Sequence, residues 1–232
     1  MNLRGWVRTS LIEFPDHIAT VLFTGGCNFR CPMCHNADLV LRPDSGPALP
    51  EEEVWAFLER RRGLVNGAVI TGGEPTQDRD LPAFLRRLRR HHLDIKLDTN
   101  GYCPDVLQAL LTEGLVDYVA LDVKAPPAKY PALTGLGDVD VSRVERSITL
   151  LRRSGVAHEF RTTVVPGLLV EEDIAAIARW IAGVQHYVLQ QFRPLHTLDP
   201  SLARVKPYPA ARLHAMAEVA RQRIAHVEIR GA

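Results

Sequence analysis

Long apolar runs are missing from this sequence. Nowhere do the roughly 18 uncharged apolar residues of a membrane-spanning helix follow one another. An excess of charge of either sign is also missing, because 28 Lys and Arg stand against 27 Asp and Glu for a formal net charge of +1. Such a balance leaves no electrostatic footprint for nucleic acid or an anionic membrane. Arg4 and Arg8 are not followed by the apolar core of a secretory leader, so a cytoplasmic location is expected. Cysteine is scarce. Four in 232 residues are too few, in too long a chain, for a secreted disulfide scaffold. Lysine is scarcer than arginine by 4 to 24, and the basic runs at Arg60–Arg62 and Arg86–His92 read as solvated outer faces of helices.

What remains is an ordinary globular composition, 46% hydrophobic and 24% charged, enough to bury one large core. A single domain spanning residues 1–232 is therefore expected. Along it two periodicities alternate. Ile18–Thr24 is a continuous β-prone run of buried type, and the three glutamates after Pro50 open a helix with Val54, Phe57 and Leu58 on one face. Strands are expected again at 68–71, 93–99, 118–123, 158–165 and 187–192, each followed by apolar residues at helical spacing. The segment 41–50, with three prolines, reads as a loop, and 226–230 as a tail strand that closes or extends an edge. Six strand–helix units define an α/β protein with a parallel sheet, either doubly wound or an incomplete barrel.

The unusual residues cluster at one edge. Cys27, Gly72–Gly73, Asp98–Gly101, Lys124, Pro166–Gly167 and Pro194–His196 all fall just beyond strand carboxyl ends, where both candidate folds place their chemistry. Within this set, Cys27, Cys31 and Cys34 form a CxxxCxxC cluster on a loop at about 25–36. Three soft thiolates suit three irons of a [4Fe–4S] cube and leave the fourth iron open. The same spacing is compatible with zinc completed by His35 or Cys103. Cys103, beside Pro104 at a helix start, reads as a packed bystander.

The rest of the chain distinguishes these. FTGGCNFRCPMCHN (23–36), ITGGEP (70–75), LDTNG (97–101), DYVALDVKAP (117–126), EFRTTVVPG (159–167), LQQFRPLHTLD (189–199) and VEIRG (227–231) follow in order. Together they resemble the radical S-adenosylmethionine superfamily, within it the glycyl-radical-enzyme activases, and most closely the activating proteins of anaerobic ribonucleoside-triphosphate reductases. The resemblance implies an incomplete parallel (β/α)6 barrel. It also implies an oxidoreductase whose reduced [4Fe–4S] cluster, held by Cys27, Cys31 and Cys34, cleaves S-adenosyl-L-methionine to methionine and a 5′-deoxyadenosyl radical. By the same resemblance Gly72, Gly73 and Glu74 hold the methionine amino group, and Arg161 reaches its carboxylate. Asp98 and Asn100 lie near the ribose or a cation; their alternative is an Asx turn or helix cap. Lys124, with Asp122, faces the site or forms an internal ion pair, and His196 follows a proline as a histidine does in related activases. Met33 stands where an aromatic residue near the adenine is usual, and the turn at 13–17 lacks the usual glycine. The implied partners are a glycyl-radical enzyme, an anaerobic ribonucleotide reductase, and an electron donor such as flavodoxin or ferredoxin. The enzymatic alternative is a radical enzyme acting on a small molecule such as a deazapurine precursor.

Overall fold

In a computed structural model that describes all 232 residues, eight strands form one sheet in the order of the chain. β1 (Leu3–Ser10) pairs antiparallel with β2 (Ala19–Thr24). β3 (Gly67–Gly72), β4 (Asp94–Thr99), β5 (Tyr118–Asp122), β6 (Ala157–Val164), β7 (His186–Gln191) and β8 (His226–Arg230) then add in parallel. β1 and β8 each have one neighbour, so the sheet curves without closing and the expected incomplete barrel is what forms. The tail strand extends the edge. The antiparallel β1 was not anticipated. Its Arg–Gly–Trp–Val–Arg sequence lacks a buried apolar run, because this edge strand is largely half-exposed or exposed.

Helices follow each strand. α2 (Glu51–Arg60) starts after Pro50 with three acidic residues in its first turn and buries Val54, Trp55, Phe57 and Leu58. α3 (Leu81–Arg90) and α4 (Pro104–Thr112) cover the next two strands, and α6 (Val141–Ser154) is capped by Asp140 and ended by left-handed Gly155. α7 (Glu171–Trp180) and α8 (Ala210–Arg221) complete the six strand–helix units. Two five-residue helices, α1 (Ala37–Leu41) and α5 (Tyr130–Thr134), are too short for periodicity to reveal. The basic run on α3 lies outside as expected: Arg86 pairs with Glu113, Arg89 with Asp117, and Arg87 covers the Trp55 ring.

The two faces of the sheet differ in chemistry. Outward residues such as Leu22, Ile70, Leu97 and Phe160 join the main apolar core. Inward residues on β2 and β3, namely Ala19, Val21 and Val69, form a small separate cluster with Phe14. On β4 to β8 the inward positions are mostly polar, with Lys96, Asp98, Asp122, Glu159, Arg161, Gln190 and Arg230 beside the apolar Ala120 and Val188. Phe14 belongs to the connection 11–18 between β1 and β2, which lies at the amino-terminal end of the barrel. Lys96 Nζ donates to the Glu13 carbonyl (2.5 Å), and His17 Nε2 lies 2.9 Å from Asp94.

Candidate active site

β2 delivers the cysteine loop to the carboxyl edge, and backbone bonds hold it from three sides. Gly26 N–H donates to Leu39 O (2.8 Å), Arg30 N–H to Thr134 O (2.7 Å), and Asp199 N–H to Pro32 O (2.9 Å). Phe29 buries itself beside Tyr102, with ring centroids 5.2 Å apart. Cys27, Cys31 and Cys34 then line a cavity of about 270 Å³ with Met33, Gly72, Gly73, Glu74, Asp98, Asn100, Asp122, Lys124 and Arg161. Eleven of the twelve residues singled out in the sequence as binding or ligating are thus brought together, with Asp122 beside them; the twelfth, His196, does not line the cavity. His196 is exposed, with a left-handed backbone (φ 54°), on the β7–α8 connection. Cys103 also lies outside, at the position preceding α4.

The Gly-Gly-Glu turn is welded to the cysteine loop. Gly73 N–H donates to Thr24 O (2.9 Å) and Glu74 N–H to Gly26 O (2.8 Å). A Cβ on Gly73 would sit 1.8 Å from Gly26 O, so only glycine permits this approach. Glu74 itself is buried and fully engaged. Its Oε1 accepts from Thr76 N–H (3.1 Å), the Thr76 hydroxyl and the Thr99 hydroxyl (2.7 Å), while Oε2 accepts from Asn100 N–H (2.7 Å). The carboxylate therefore ties the turn after β3 to the end of β4. Burial raises its pKa against the effect of these donors.

Asn100 does make the Asx turn, accepting from Tyr102 N–H (2.9 Å), while its amide donates to Asn28 Oδ1 (2.7 Å) beside Cys27. Asp98 behaves otherwise. Its Oδ2 accepts from Arg161 Nη1 (3.2 Å), but its buried Oδ1, 3.5 Å from Lys96 Nζ, accepts no hydrogen bond. Arg161 points inward rather than outward, and its Nε donates to Asp122 Oδ1 (2.8 Å). Lys124 Nζ donates to Asp122 Oδ2 (2.9 Å), so the internal ion pair and the site position are both realised. Burial would raise Asp122, but Arg161 and Lys124 outweigh it and hold its carboxyl well below the usual range.

The cavity has other walls that single residues in the sequence did not reveal. Thr71, Thr163 and Gln190 face it from β3, β6 and β7. Their signal was alternation: once Arg161 is inward, Glu159 and Thr163 must be inward too. Thr99 and Thr76, which hold Glu74, carried no signal beyond their neighbours.

The donor set suits an iron–sulfur cluster. Three thiols border one cavity, and soft sulfur donors in that number are what such a cluster takes. His35 Nε2 lies 2.8 Å from Arg193 O and faces a backbone carbonyl. Burial pushes the Cys27 thiol up to about 12 and Cys31 to about 11, so ligation must displace their protons. The unspent Asp98 oxygen also awaits a donor from outside the chain.

An open parallel barrel carrying three thiols at its carboxyl edge defines the class of protein. The Radical SAM superfamily model matches residues 21–181, and the chain belongs to that family. Its cofactors are accordingly a [4Fe–4S] cluster and S-adenosylmethionine. A glycyl-radical enzyme activating enzyme assigned in Methanocaldococcus jannaschii is 32% identical over 97% of this chain and 94% of its own length. The pyruvate formate-lyase-activating enzyme of Clostridium pasteurianum is 28% identical over 81% of this chain and 79% of its own. Among solved structures, Streptococcus suis SuiB bound to S-adenosylmethionine shares the fold at 16% identity, with a TM-score of 0.68 over 89% of this chain. The chain spans about half of SuiB, 48% of its length. This is a radical S-adenosylmethionine enzyme close to the glycyl-radical activating enzymes.

Proposed function

We propose that the protein activates a partner enzyme by removing a hydrogen atom from a backbone glycine, and that the partner is an anaerobic ribonucleoside-triphosphate reductase. The observation that carries this reading is a reaction cavity inside a barrel left open between β1 and β8, where a partner's loop can approach. When bound, the cluster and S-adenosylmethionine supply reductive carbon–sulfur cleavage and hydrogen-atom abstraction. The chain's own groups do the positioning. Cys27, Cys31 and Cys34 hold the cluster, and Met33 offers a polarisable apolar contact to the adenine. The backbone of Gly72 and Gly73 takes the methionine amino group, with Glu74 fixing that turn through its four accepted bonds. Arg161, aimed by Asp98 and Asp122, presents a guanidinium to the methionine carboxylate, as planar fork recognition requires. The free Asp98 oxygen takes a ribose hydroxyl. Lys124 and Asn100 border the same cavity, and the electron arrives from a donor such as flavodoxin or ferredoxin. His196, outside the cavity, has no part in this scheme.

The test is anaerobic mixing of the reduced, cluster-loaded protein and S-adenosylmethionine with the purified reductase. A glycyl doublet in electron paramagnetic resonance is expected. Its absence, with cleavage stimulated instead by a pterin-like compound, would replace this reading with small-molecule chemistry.

A further inference from the structure

Of the three cluster thiols, Cys27 alone has amide side chains at its sulfur. Phe29 N–H donates to Sγ (3.4 Å), and Asn100 Nδ2 stands 3.9 Å from it. The thiol proton, which ligation removes, is directed at Asn28 Oδ1 (3.7 Å). The two asparagines also meet each other, Asn100 Nδ2 donating to Asn28 Oδ1 (2.7 Å).

A backbone group fixes which end of each amide faces the sulfur. Tyr102 N–H can only donate, so the Asn100 atom it reaches (2.9 Å) is the amide oxygen. The Asn100 nitrogen is then the atom turned toward Asn28, and a donor there requires the Asn28 oxygen opposite it. One hydrogen of Asn100 Nδ2 is spent on Asn28, and the second is left for the Cys27 sulfur. Spent in this way, the side chain has no hydrogen to give a ribose. Asn100 cannot drift from this position, because it is buried and its own N–H donates to Glu74 Oε2 (2.7 Å). The same chain of bonds leaves Asn28 Nδ2 buried without an acceptor, next in sequence to a cluster ligand. A buried donor of this kind calls for an acceptor from outside the chain, and the sulfurs of a bound cluster are such acceptors.

Reduction adds one electron, and one negative charge, to a cluster that its thiolates already make anionic. Negative charge on Glu74 opposes a negative Cys27 sulfur, whereas N–H donors at that sulfur favour it. We infer that Asn100, its amide aligned by Tyr102 N–H and Asn28, donates to the Cys27 thiolate and raises the reduction potential of the cluster. Asn100 acts through Cys27 and is a positioning residue, not a ligand. The inference goes beyond the activase reading and holds whichever partner is activated.

The test is a redox titration of the cluster-loaded protein with dithionite and mediators, without S-adenosylmethionine or partner, followed by electron paramagnetic resonance of the reduced cluster. Asn100→Ser keeps an acceptor for Tyr102 N–H and the backbone bond to Glu74, but brings no amide to the sulfur. It should lower the ratio of reduced to oxidised cluster about tenfold at a fixed potential, a fall of about 59 mV for one electron. Asn100→Asp, the same size with an acceptor in place of the donor, should fall at least as far. Asn28→Ala should fall less, because Tyr102 still aligns Asn100. Tyr102→Phe is the control: it removes the hydroxyl that accepts from Asp140 N–H (3.1 Å) but leaves the backbone N–H on Asn100, so its midpoint should match the wild type. A wild-type midpoint in Asn100→Ser with close to four iron, or in Asn100→Asp where the serine variant loads poorly, would overturn the inference. A fall in Tyr102→Phe as large as in Asn100→Ser would also overturn it, by tracing the effect to loosened packing.

Discussion

Replacing Gly73 with alanine separates a packing role from a binding role for the second glycine of the Gly-Gly-Glu turn. The added methyl would begin 1.8 Å from the Gly26 carbonyl oxygen, a backbone atom that cannot swing aside. Relief requires the turn to leave the cysteine loop, which stretches the Gly73–Thr24 and Glu74–Gly26 bonds of 2.9 and 2.8 Å. Two net hydrogen bonds at about 1 kcal/mol each and a forced shift of about 1–3 kcal/mol sum to roughly 3–5 kcal/mol. In a chain of this length each kcal/mol lowers the midpoint by about 2–4 °C, so a fall of roughly 10 °C is expected. Scanning calorimetry of the metal-free protein measures it, and iron analysis after reconstitution should show reduced loading because Gly26 adjoins Cys27. Gly137→Ala is the control, since its Cβ would meet nothing within 4 Å, and it should move the midpoint by no more than about 2 °C. A Gly73→Ala protein with a wild-type midpoint and full iron would refute the packing argument and leave the glycine a purely ligand-facing role.

Cys31→Ala should abolish cluster assembly and cleavage, whereas Cys103→Ala should keep the brown colour and close to four iron; an empty site in Cys103→Ala would overturn the ligand assignment. Asp122→Asn should cost about 2 kcal/mol at neutral pH, below the value for a sealed pair because the group borders a cavity. The folded carboxyl sits below its unfolded value, so its contribution is complete above the ordinary carboxylate range and is lost as the pH falls below it. The stability gap between wild type and variant, from urea melts, should therefore close on acidification; a constant gap would show that charge is not the cause. Arg230→Met should strip Glu159 of its clamp and loosen β8, seen as faster amide exchange at 226–230 than at the other strands.

The six strand–helix units were legible because their strands are buried on both faces and read as unbroken apolar runs. β1 was illegible for the converse reason: its exposed edge needs no such run. The site was legible as far as strand ends mark it. What strand ends cannot tell is how a side chain is spent. Glu74 looked like a ligand for an ammonium, yet its oxygens are occupied by Thr76, Thr99 and Asn100. Arg161 could point either way from sequence alone, and the register with Asp122 turns it inward. His196 followed the right proline after the right strand, but its connection runs outside the cavity.

The inward turn of Arg161 follows from how the lumen is filled. A closed barrel packs its interior with branched apolar side chains in layers. Here β2 and β3 do so, with Ala19, Val21 and Val69 closing under Phe14. From β4 onward the inward positions carry Lys96, Asp98, Asp122, Glu159 and Arg161, and each finds a charged partner that lets it be tolerated there: Asp98 and Asp122 pair with Arg161 on β6, and Glu159 with Lys96 on β4 and Arg230 on β8. Strand-to-strand ion pairs thus replace apolar layers as the contents of the barrel. They hold the lumen open at the same time, because a paired charge has no drive to collapse on what remains empty. Two cavities lie where that ladder runs, and the one inward amide it leaves unspent, Gln190, stands between them.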